Sequence, residues 1–211
     1  IVVLSSFYVV DERERGIVLR FGRYIGHESA PGLHLKFPFG IDRVFNVQTQ
    51  VPHKLEFGFR TEEAGVRSVF STQDFPEESV MLTGDLNIVD LEWSIQYRIV
   101  EPDKWLFNIV DGVTTIKDIS RSVFNRLVGD RAILDVMGDE RPVIQLIAQE
   151  EMNALFANYD IGVRVVAVNL QSVVPPRGAV QNAFEDVNKA IQDRNRLINE
   201  GKEAYNEAIP R

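Results

Sequence analysis

Residues 89–99 alternate strictly between apolar and polar side chains, and this pattern constrains the fold more than any other part of the chain. The apolar side chains occupy the odd positions, which are Val89, Leu91, Trp93, Ile95, Tyr97 and Ile99. A period of two predicts a β-strand with one buried and one solvated face. Residues 80–82 precede the turn signal Thr83-Gly84-Asp85 and are typical of a hairpin partner for this strand.

The rest of the first half predicts further strands, and the second half predicts helices. Residues 7–10 and 17–21 are β-rich runs joined by a charged link, as in a hairpin. Two helices are predicted by apolar stripes with four- and three-residue spacing. The first stripe, which ends near Gly129, is Ile116, Ile119, Val123 and Leu127. The second is Ile144, Ala148, Met152, Leu155 and Tyr159. A valine-rich strand is predicted at residues 161–170, so the fold class is α+β.

Composition excludes several classes of function. The chain has 211 residues, with 23 basic and 31 acidic side chains and a formal net charge of -8. Nucleic-acid binding needs a basic surface that neutralises phosphates, so no nucleic-acid partner is predicted. The absence of cysteine excludes disulfides, thiolate metal sites and cysteine catalysis, and it fits a reducing or an oxidising compartment.

Motifs for catalysis, metals and cofactors are missing from the sequence. His27, His34 and His53 do not have the spacing of zinc ligands. No serine lies in a G-x-S-x-G elbow, and no glycine-rich phosphate-binding motif occurs. We therefore predict no catalytic residue, metal, cofactor or small-molecule substrate. A hydrolase site assembled from distant residues stays as an alternative, because triads are defined by geometry.

Two apolar segments are candidates for contact with a membrane. Residues 33–41 place an apolar residue at every odd position, namely Leu33, Leu35, Phe37, Phe39 and Ile41. If this face is exposed, it can enter the acyl boundary of a bilayer; the alternative is an ordinary half-buried strand. The chain begins with four aliphatic residues, Ile1, Val2, Val3 and Leu4. They fit either the end of a removed transmembrane helix or the start of a core strand.

The last segment, residues 175–211, predicts a long helix. Four apolar residues are spaced by four and three as in a coiled-coil seam, and the register continues with weaker positions. The seam consists of Val180, Phe184, Val187 and Ile191, followed by Ile198 and Tyr205. The rest of the helix is polar, so one buried face cannot stabilise it alone. It is either a self-assembly helix or an amphipathic helix folded back on its own domain.

Four segments together resemble the SPFH or band 7 family (stomatin, prohibitin, flotillin, HflK and HflC), and most of all its HflK branch. They are residues 14–23 (ERGIVLRFGR), residues 31–39 (PGLHLKFPF), residues 81–89 (MLTGDLNIV), and residues 168–184 with their VNLQ and PP motifs. In this order they cover residues 8 to about 208. The resemblance implies a curved, mainly antiparallel sheet with packed helices, followed by a long coiled-coil-like helix.

The resemblance also implies a domain division. Residues 1–6 are expected to be the end of a transmembrane anchor, and residues 7–174 the SPFH domain. Residues 58–78 are expected to be an insertion loop within that domain, and residues 175–211 the start of an assembly helix.

The function implied by the resemblance is that of a scaffold without enzymatic activity. Proteins of the HflK branch cross the bacterial inner membrane once and place this domain on the periplasmic side. They assemble with HflC-like subunits into a cage around an FtsH-like AAA+ protease and regulate its access to membrane-protein substrates. The expected partners are therefore an HflC-like subunit, an FtsH-like protease and membrane lipid. A stomatin-like organiser of membrane microdomains with other partners is the alternative within the family.

Overall fold

The computed structural model describes residues 6–63, 69–70, 75–138, 140–175 and 179–208. Within these ranges the strands are β1 (Phe7–Val10), β2 (Glu14–Arg20), β3 (Arg23–Ser29), β4 (Gly32–Leu35), β5 (Asp42–Gln48), β6 (His53–Phe57), β7 (Thr61–Glu63), β8 (Val69–Phe70), β9 (Val80–Leu82), β10 (Ile88–Ile99) and β11 (Val163–Val174). The helices are α1 (Pro76–Ser79), α2 (Pro102–Phe107), α3 (Gly112–Gly129), α4 (Ile133–Met137), α5 (Arg141–Asn158) and α6 (Ala179–Ala208).

Strand β10 is the centre of the main sheet. It pairs antiparallel with β11 along one edge and with β6 and β9 along the other. Its odd-numbered residues from Val89 to Ile99 are all buried, which confirms the face predicted from the alternation. The predicted hairpin partner is also confirmed, because Leu82 of β9 lies opposite Ile88.

Helices α3 and α5 cover the main sheet, and an aromatic stack joins one of them to it. The Trp93 ring lies between Phe57 of β6, at a centroid distance of 3.7 Å, and Phe124 of α3, at 3.8 Å. All three side chains are buried. Large aromatic side chains contribute much of the burial free energy of a core, so this stack fixes α3 on the sheet.

The apolar stripes of the two long helices agree with the structure except at one position. Ile116, Val123 and Leu127 are buried, and α3 ends at Gly129 as predicted. Tyr159 was predicted to share the buried face of α5, and this prediction was wrong because the helix ends at Asn158 and Tyr159 is exposed. The buried row of α5 is instead completed by Phe156, four residues after Met152.

A second sheet has the order β3-β2-β5. The predicted hairpin between residues 7–10 and 17–21 was wrong, because β1 pairs with β4 instead. Strand β2 is hydrogen-bonded to β3 on one edge and to β5 on the other, so it has no free edge for β1. Strands β1 and β4 form a separate two-stranded ribbon.

The turn between β9 and β10 docks onto the start of α4. The Asp85 carboxylate accepts hydrogen bonds from the backbone N–H of Ile133 and from the hydroxyl of Thr83. The hydrogen bond from Thr83 is the first cause of the lowered pKa of Asp85. A Cβ on Gly84 would lie 2.7 Å from the carbonyl oxygen of Gly129, so only glycine allows this approach.

The segment predicted as an insertion loop contains regular structure at three places. Strands β7 and β8 pair antiparallel, and α1 follows. Arg60 joins the two ends of the segment through an ion pair with Glu78 at 2.8 Å. Among the residues that the structure describes, no helix combines the length and apolar character needed to span a bilayer.

Candidate functional site

The ribbon of β1 and β4 carries an apolar outer face. Phe7 lies opposite Leu35, and Val9 lies opposite Leu33. Facing residues of an antiparallel pair project to the same side, so the four side chains form one surface, and all four are exposed. On the opposite face the rings of Tyr8 and His34 stack with centroids 5.4 Å apart. The ribbon therefore has a half-buried polar aromatic face and an exposed apolar face.

The apolar residues that follow β4 lie in a turn rather than on the predicted continuous strand. Strand β4 ends at Leu35, where Pro38 and Gly40 interrupt the extended backbone. Phe37 and Phe39 are exposed, and Ile41 is half-buried. The prediction of a single strand face for residues 33–41 was therefore wrong, although four of its five apolar residues do reach the surface.

A third phenylalanine, Phe21, joins this turn from the β2–β3 connection. The backbone N–H of Phe21 donates to the carbonyl of Ile41 at 2.8 Å, so the two turns are adjacent. We name Phe21, Phe37 and Phe39 the apolar tip. Phe21 and Phe39 are 81% and 82% exposed, with φ of +51° and +61°. Bulky residues are uncommon in this backbone region, and such strain often marks a functional site.

A buried carboxylate holds the apolar tip in place. The Asp42 side chain is only 2% exposed and accepts hydrogen bonds from Arg20 at 2.9 and 3.2 Å. It also accepts from the backbone N–H of Phe37 at 3.0 Å. The Arg20 guanidinium lies 4.5 Å from the centre of the Phe37 ring, as in a cation–π contact. We name Arg20 and Asp42, with their contacts to Phe37, the tip clamp.

The electrostatics of the clamp favour the ionised carboxylate. The hydrogen bonds from the Arg20 guanidinium are the main cause that lowers the pKa of Asp42 below its usual value. Burial acts in the opposite direction, and the hydrogen bond from Phe37 adds to the lowering. The ion pair therefore persists at neutral pH, and the turn that carries the apolar tip has a defined conformation.

Ser6, the first residue that the structure describes, lies beside the apolar tip. The backbone N–H of Lys36 donates to the carbonyl of Ser6 at 2.7 Å, so Ser6 lies against the turn that holds Phe37. Ile1, Val2, Val3 and Leu4, also predicted to be membrane-proximal, lie outside the described residues.

The predicted assembly residues are only partly described. Val187, Ile198 and Tyr205 on α6 are exposed, with Leu197 beside them. The side chains of Val180, Phe184 and Ile191 lie outside the described set. Arg196 forms ion pairs within the helix, with Asp193 and Glu200. The described part of α6 thus presents apolar side chains to solvent.

A second exposed apolar surface, which was not predicted from the sequence, lies on the β9–β10 hairpin. Val80, Leu82 and Ile88 lie on the outer face, and Leu86 lies at the turn; all four are exposed. We name these residues the hairpin surface. The signal was present, because residues 80, 82, 86 and 88 are all apolar at even positions, whereas the core of β10 uses odd positions.

The described histidines take part in packing. The Nε2 atom of His34 lies 2.6 Å from the carbonyl of Ala30. The His53 ring stacks on Tyr97, with centroids 5.4 Å apart, and its Nε2 lies 3.5 Å from the carbonyl of Gln48. The side chain of His27 lies outside the described set. In the part of the chain that the structure describes, no group of three acidic, histidine or cysteine side chains is arranged to hold a metal ion.

Comparison with known proteins gives the family. The model described as "SPFH domain / Band 7 family" matches residues 8–208. The chain belongs to this family. The match covers nearly the whole chain, so the resemblance found in four short segments is confirmed, and so is the α+β fold of the SPFH domain.

Individual relatives agree with the HflK branch. The chain is 50% identical to "Protein HflK" of Treponema pallidum (strain Nichols), over 99% of this chain and 63% of that protein. It is 39% identical to "Protein HflK" of Borreliella burgdorferi, over 100% of this chain and 66% of that protein. It is 30% identical to "Modulator of FtsH protease HflK" of Escherichia coli (strain K12), over 98% of this chain and 44% of that protein. The chain therefore spans less than two thirds of each of these relatives.

Proposed function

We propose that this chain is the membrane-proximal part of a non-enzymatic scaffold subunit that regulates a membrane-bound AAA+ protease of the FtsH type. The proposal is supported by family membership and by the name of the Escherichia coli relative, a modulator of FtsH protease.

The observation that carries the membrane part of the proposal is the apolar tip. Three exposed phenylalanines lie next to the exposed face of the β1–β4 ribbon, where Ser6 leads the chain into the fold. Aromatic side chains favour the boundary between headgroups and acyl chains. In this proposal residues 1–6 continue a single anchor in the bacterial inner membrane, and the SPFH domain lies on the periplasmic side with its apolar tip in the interface.

The assembly part of the proposal rests on two further apolar surfaces. The hairpin surface includes the edge strand β9, and α6 presents Val187, Ile198 and Tyr205 to solvent. Exposed edges and apolar faces of this kind are suited to packing against another subunit. We propose that they contact copies of this chain and HflC-like subunits in a cage that encloses the protease. The wall of the cage then limits the access of membrane-protein substrates to the protease from the surrounding membrane.

Each subunit contact can be weak in such a cage. Anchors confine the subunits to one membrane plane and raise their effective concentration, so many modest contacts hold together. We expect the 211-residue chain alone to sediment as a monomer or weak oligomer in analytical ultracentrifugation. A tight closed ring of this chain in solution would contradict the dependence on the membrane plane.

The decisive experiment is purification of the full-length protein from native membranes in mild detergent. We expect an AAA+ protease and a second SPFH protein to elute with it. In a variant with Val187→Glu and Ile198→Glu, the second SPFH protein should be lost, whereas the protein stays in the membrane. Glu203→Gln, on the same helix, serves as a control with a polar substitution. Copurification with other membrane proteins, without a protease, would favour a stomatin-like organiser instead.

A further inference from the structure

The apolar tip is surrounded by positive charge in a chain that is acidic as a whole. Residues 20–23 (RFGR) and 36–43 (KFPFGIDR) form the two turns of the tip. They contain four basic side chains and one acidic side chain, whereas the whole chain has a net charge of -8. The only acidic residue of the two turns is Asp42, which is buried and paired with Arg20. The solvent-facing charge of these two turns is therefore basic.

Three of these basic side chains are available to a ligand. Arg23 and Arg43 are exposed, and Lys36 is half-buried. Among the residues that the structure describes, no ion pair joins any of the three to an acidic group. We name Arg23, Lys36 and Arg43 the basic cluster. Arg23 shares a cleft with Asp103 and Asp160, and Lys36 lies near the buried Asp42. Since none of the three is held in a described ion pair, they can still attract an external anion.

A cleft combines part of the basic cluster with the aromatic side chains. It has a volume of about 470 Å³ and lies between the turn of residues 36–40 and strand β5. Lys36 and Arg43 contribute positive charge to its lining, and Phe37, Phe39 and Phe45 contribute apolar surface. Asp42 also belongs to the lining, but its buried carboxylate is paired with Arg20. Arg43 and Phe45 are two residues apart on β5 and therefore share one face of the strand. A ligand in this cleft must have an anionic group beside an apolar body.

We propose that Lys36 and Arg43 in this cleft bind the phosphate of an anionic phospholipid, whose acyl region lies on the aromatic side chains, and that Arg23 on the neighbouring turn adds to the attraction of the anionic surface. The inference rests on the proposed function, because it assumes that the apolar tip faces a membrane. A nucleic acid does not fit, because the cationic area is small and the chain is otherwise acidic. A free phosphate would leave three exposed phenylalanines in water. A phospholipid satisfies both the charged and the apolar part of the surface.

The experiment compares binding of the 211-residue chain to two kinds of vesicle. The chain has its own buried core, so it can be tested without further segments. One vesicle contains phosphatidylcholine alone, and the other also contains phosphatidylglycerol. We expect tighter binding to the anionic vesicle, and the difference should disappear at high salt. Each basic side chain near an anionic surface contributes about a fivefold change in affinity, so the cluster should contribute roughly 100-fold.

Variants separate the role of charge from that of the apolar tip. The triple change of the basic cluster to glutamine should reduce binding to the anionic vesicle to the level of phosphatidylcholine and leave binding to phosphatidylcholine unchanged. A control with Arg98→Gln, Arg164→Gln and Lys202→Gln has the same net charge, and these side chains are also exposed, but it should retain the preference. Circular dichroism checks that each variant is folded.

Each outcome distinguishes the inference from the proposal on which it rests. If the basic-cluster variant binds anionic vesicles as the unchanged chain does, the headgroup inference is wrong while the membrane-facing tip can stand. If Phe21→Ser with Phe39→Ser leaves binding to both vesicles unchanged, the membrane-facing tip itself is wrong. If soluble glycerol phosphate competes as well as the anionic vesicle at equal phosphate concentration, the site takes free phosphate, and the lipid assignment is overturned.

Discussion

The tip clamp makes a quantitative prediction for the substitution Asp42→Asn. The carboxylate accepts from two guanidinium nitrogens and one backbone N–H. Asparagine keeps one acceptor oxygen but presents an NH₂ group toward these donors. Charge-assisted hydrogen bonds contribute about 1.5–3 kcal/mol each, but Arg20 is 40% exposed and can regain water. We therefore expect the free energy of unfolding to fall by about 2 kcal/mol, well below the sum of the bonds.

The assay is urea denaturation of the 211-residue chain, followed by tryptophan fluorescence. In thermal unfolding of a chain of this size, the same loss of stability corresponds to a decrease in Tm of roughly 4–8 °C. Asp118→Asn is the matched control, because Asp118 is exposed on α3. Surface substitutions of this kind usually change the free energy of unfolding by less than about 0.5 kcal/mol.

The pH dependence gives a stricter test of the same reasoning. The pKa of Asp42 is lower in the folded chain than in the unfolded chain, so its ionisation stabilises the fold above the unfolded pKa. This contribution is complete at pH 7 and is lost as the pH falls through the lowered folded pKa. The difference between the unchanged chain and Asp42→Asn should therefore narrow below about pH 5. Equal stability of both proteins at pH 7, or a difference that grows in acid, would refute the role of the clamp.

Three further predictions concern the fold that supports the surface. Gly84→Ala should lower the free energy of unfolding by about 1–3 kcal/mol, because the new Cβ meets the backbone of Gly129. Gly201→Ala is its control, because a Cβ there meets open space on α6, and it should instead raise the helix content in circular dichroism. Phe124→Ala should cost about 3–5 kcal/mol in urea denaturation, and a cost under 1 kcal/mol would mean that the aromatic stack is not part of the core. Asn153→Ala should lower the free energy of unfolding by about 1–3 kcal/mol, because Asn153 both donates to and accepts from the backbone of β11. Amide hydrogen exchange should then increase in β11, and unchanged exchange would contradict this role.

The core of the fold could be predicted because its signals are local. The alternation of β10 depends only on the two-residue period of a strand, and Ile116, Val123 and Leu127 depend only on the helical repeat. The pairing of β1 with β4 could not be predicted in this way, because it joins residues about 25 positions apart, and no local pattern specifies which edge is free. Short α4 escaped notice for a related reason, since five residues are too few for a periodic stripe.

The candidate surface could be predicted in composition but not in shape. The apolar residues at positions 33–41 were evident, whereas the turn at Phe37 and the inclusion of Phe21 depend on a hydrogen bond between distant backbone groups. The role of Asp42 was also hidden, because Arg20 and Asp42 are 22 positions apart and each is ordinary in its own strand. The hairpin surface could not be predicted from the alternation of β10, because Val80 and Leu82 belong to the short strand β9 and Leu86 to the turn. Ile88 is the one apolar residue at an even position of β10.

The segments that identify the family and the surfaces that we propose to be functional have different physical roles. Gly84 and Asp85 fix a turn against α4, and Arg20 supports the turn at Phe37 through its ion pair with Asp42 and its contact with the Phe37 ring, so these positions are constrained by geometry. In the proposed function the apolar tip is constrained differently, because any large apolar side chain at position 39 would serve in a membrane interface. A scaffold needs precise turns and permissive surfaces, whereas an enzyme needs precise side chains at the reacting atoms. The strained φ of Phe21 and Phe39 joins the two roles, since the fold accepts unfavourable backbone conformations that hold two phenylalanines in solvent. In the proposed function, the apolar phase of the membrane receives both side chains and offsets this cost.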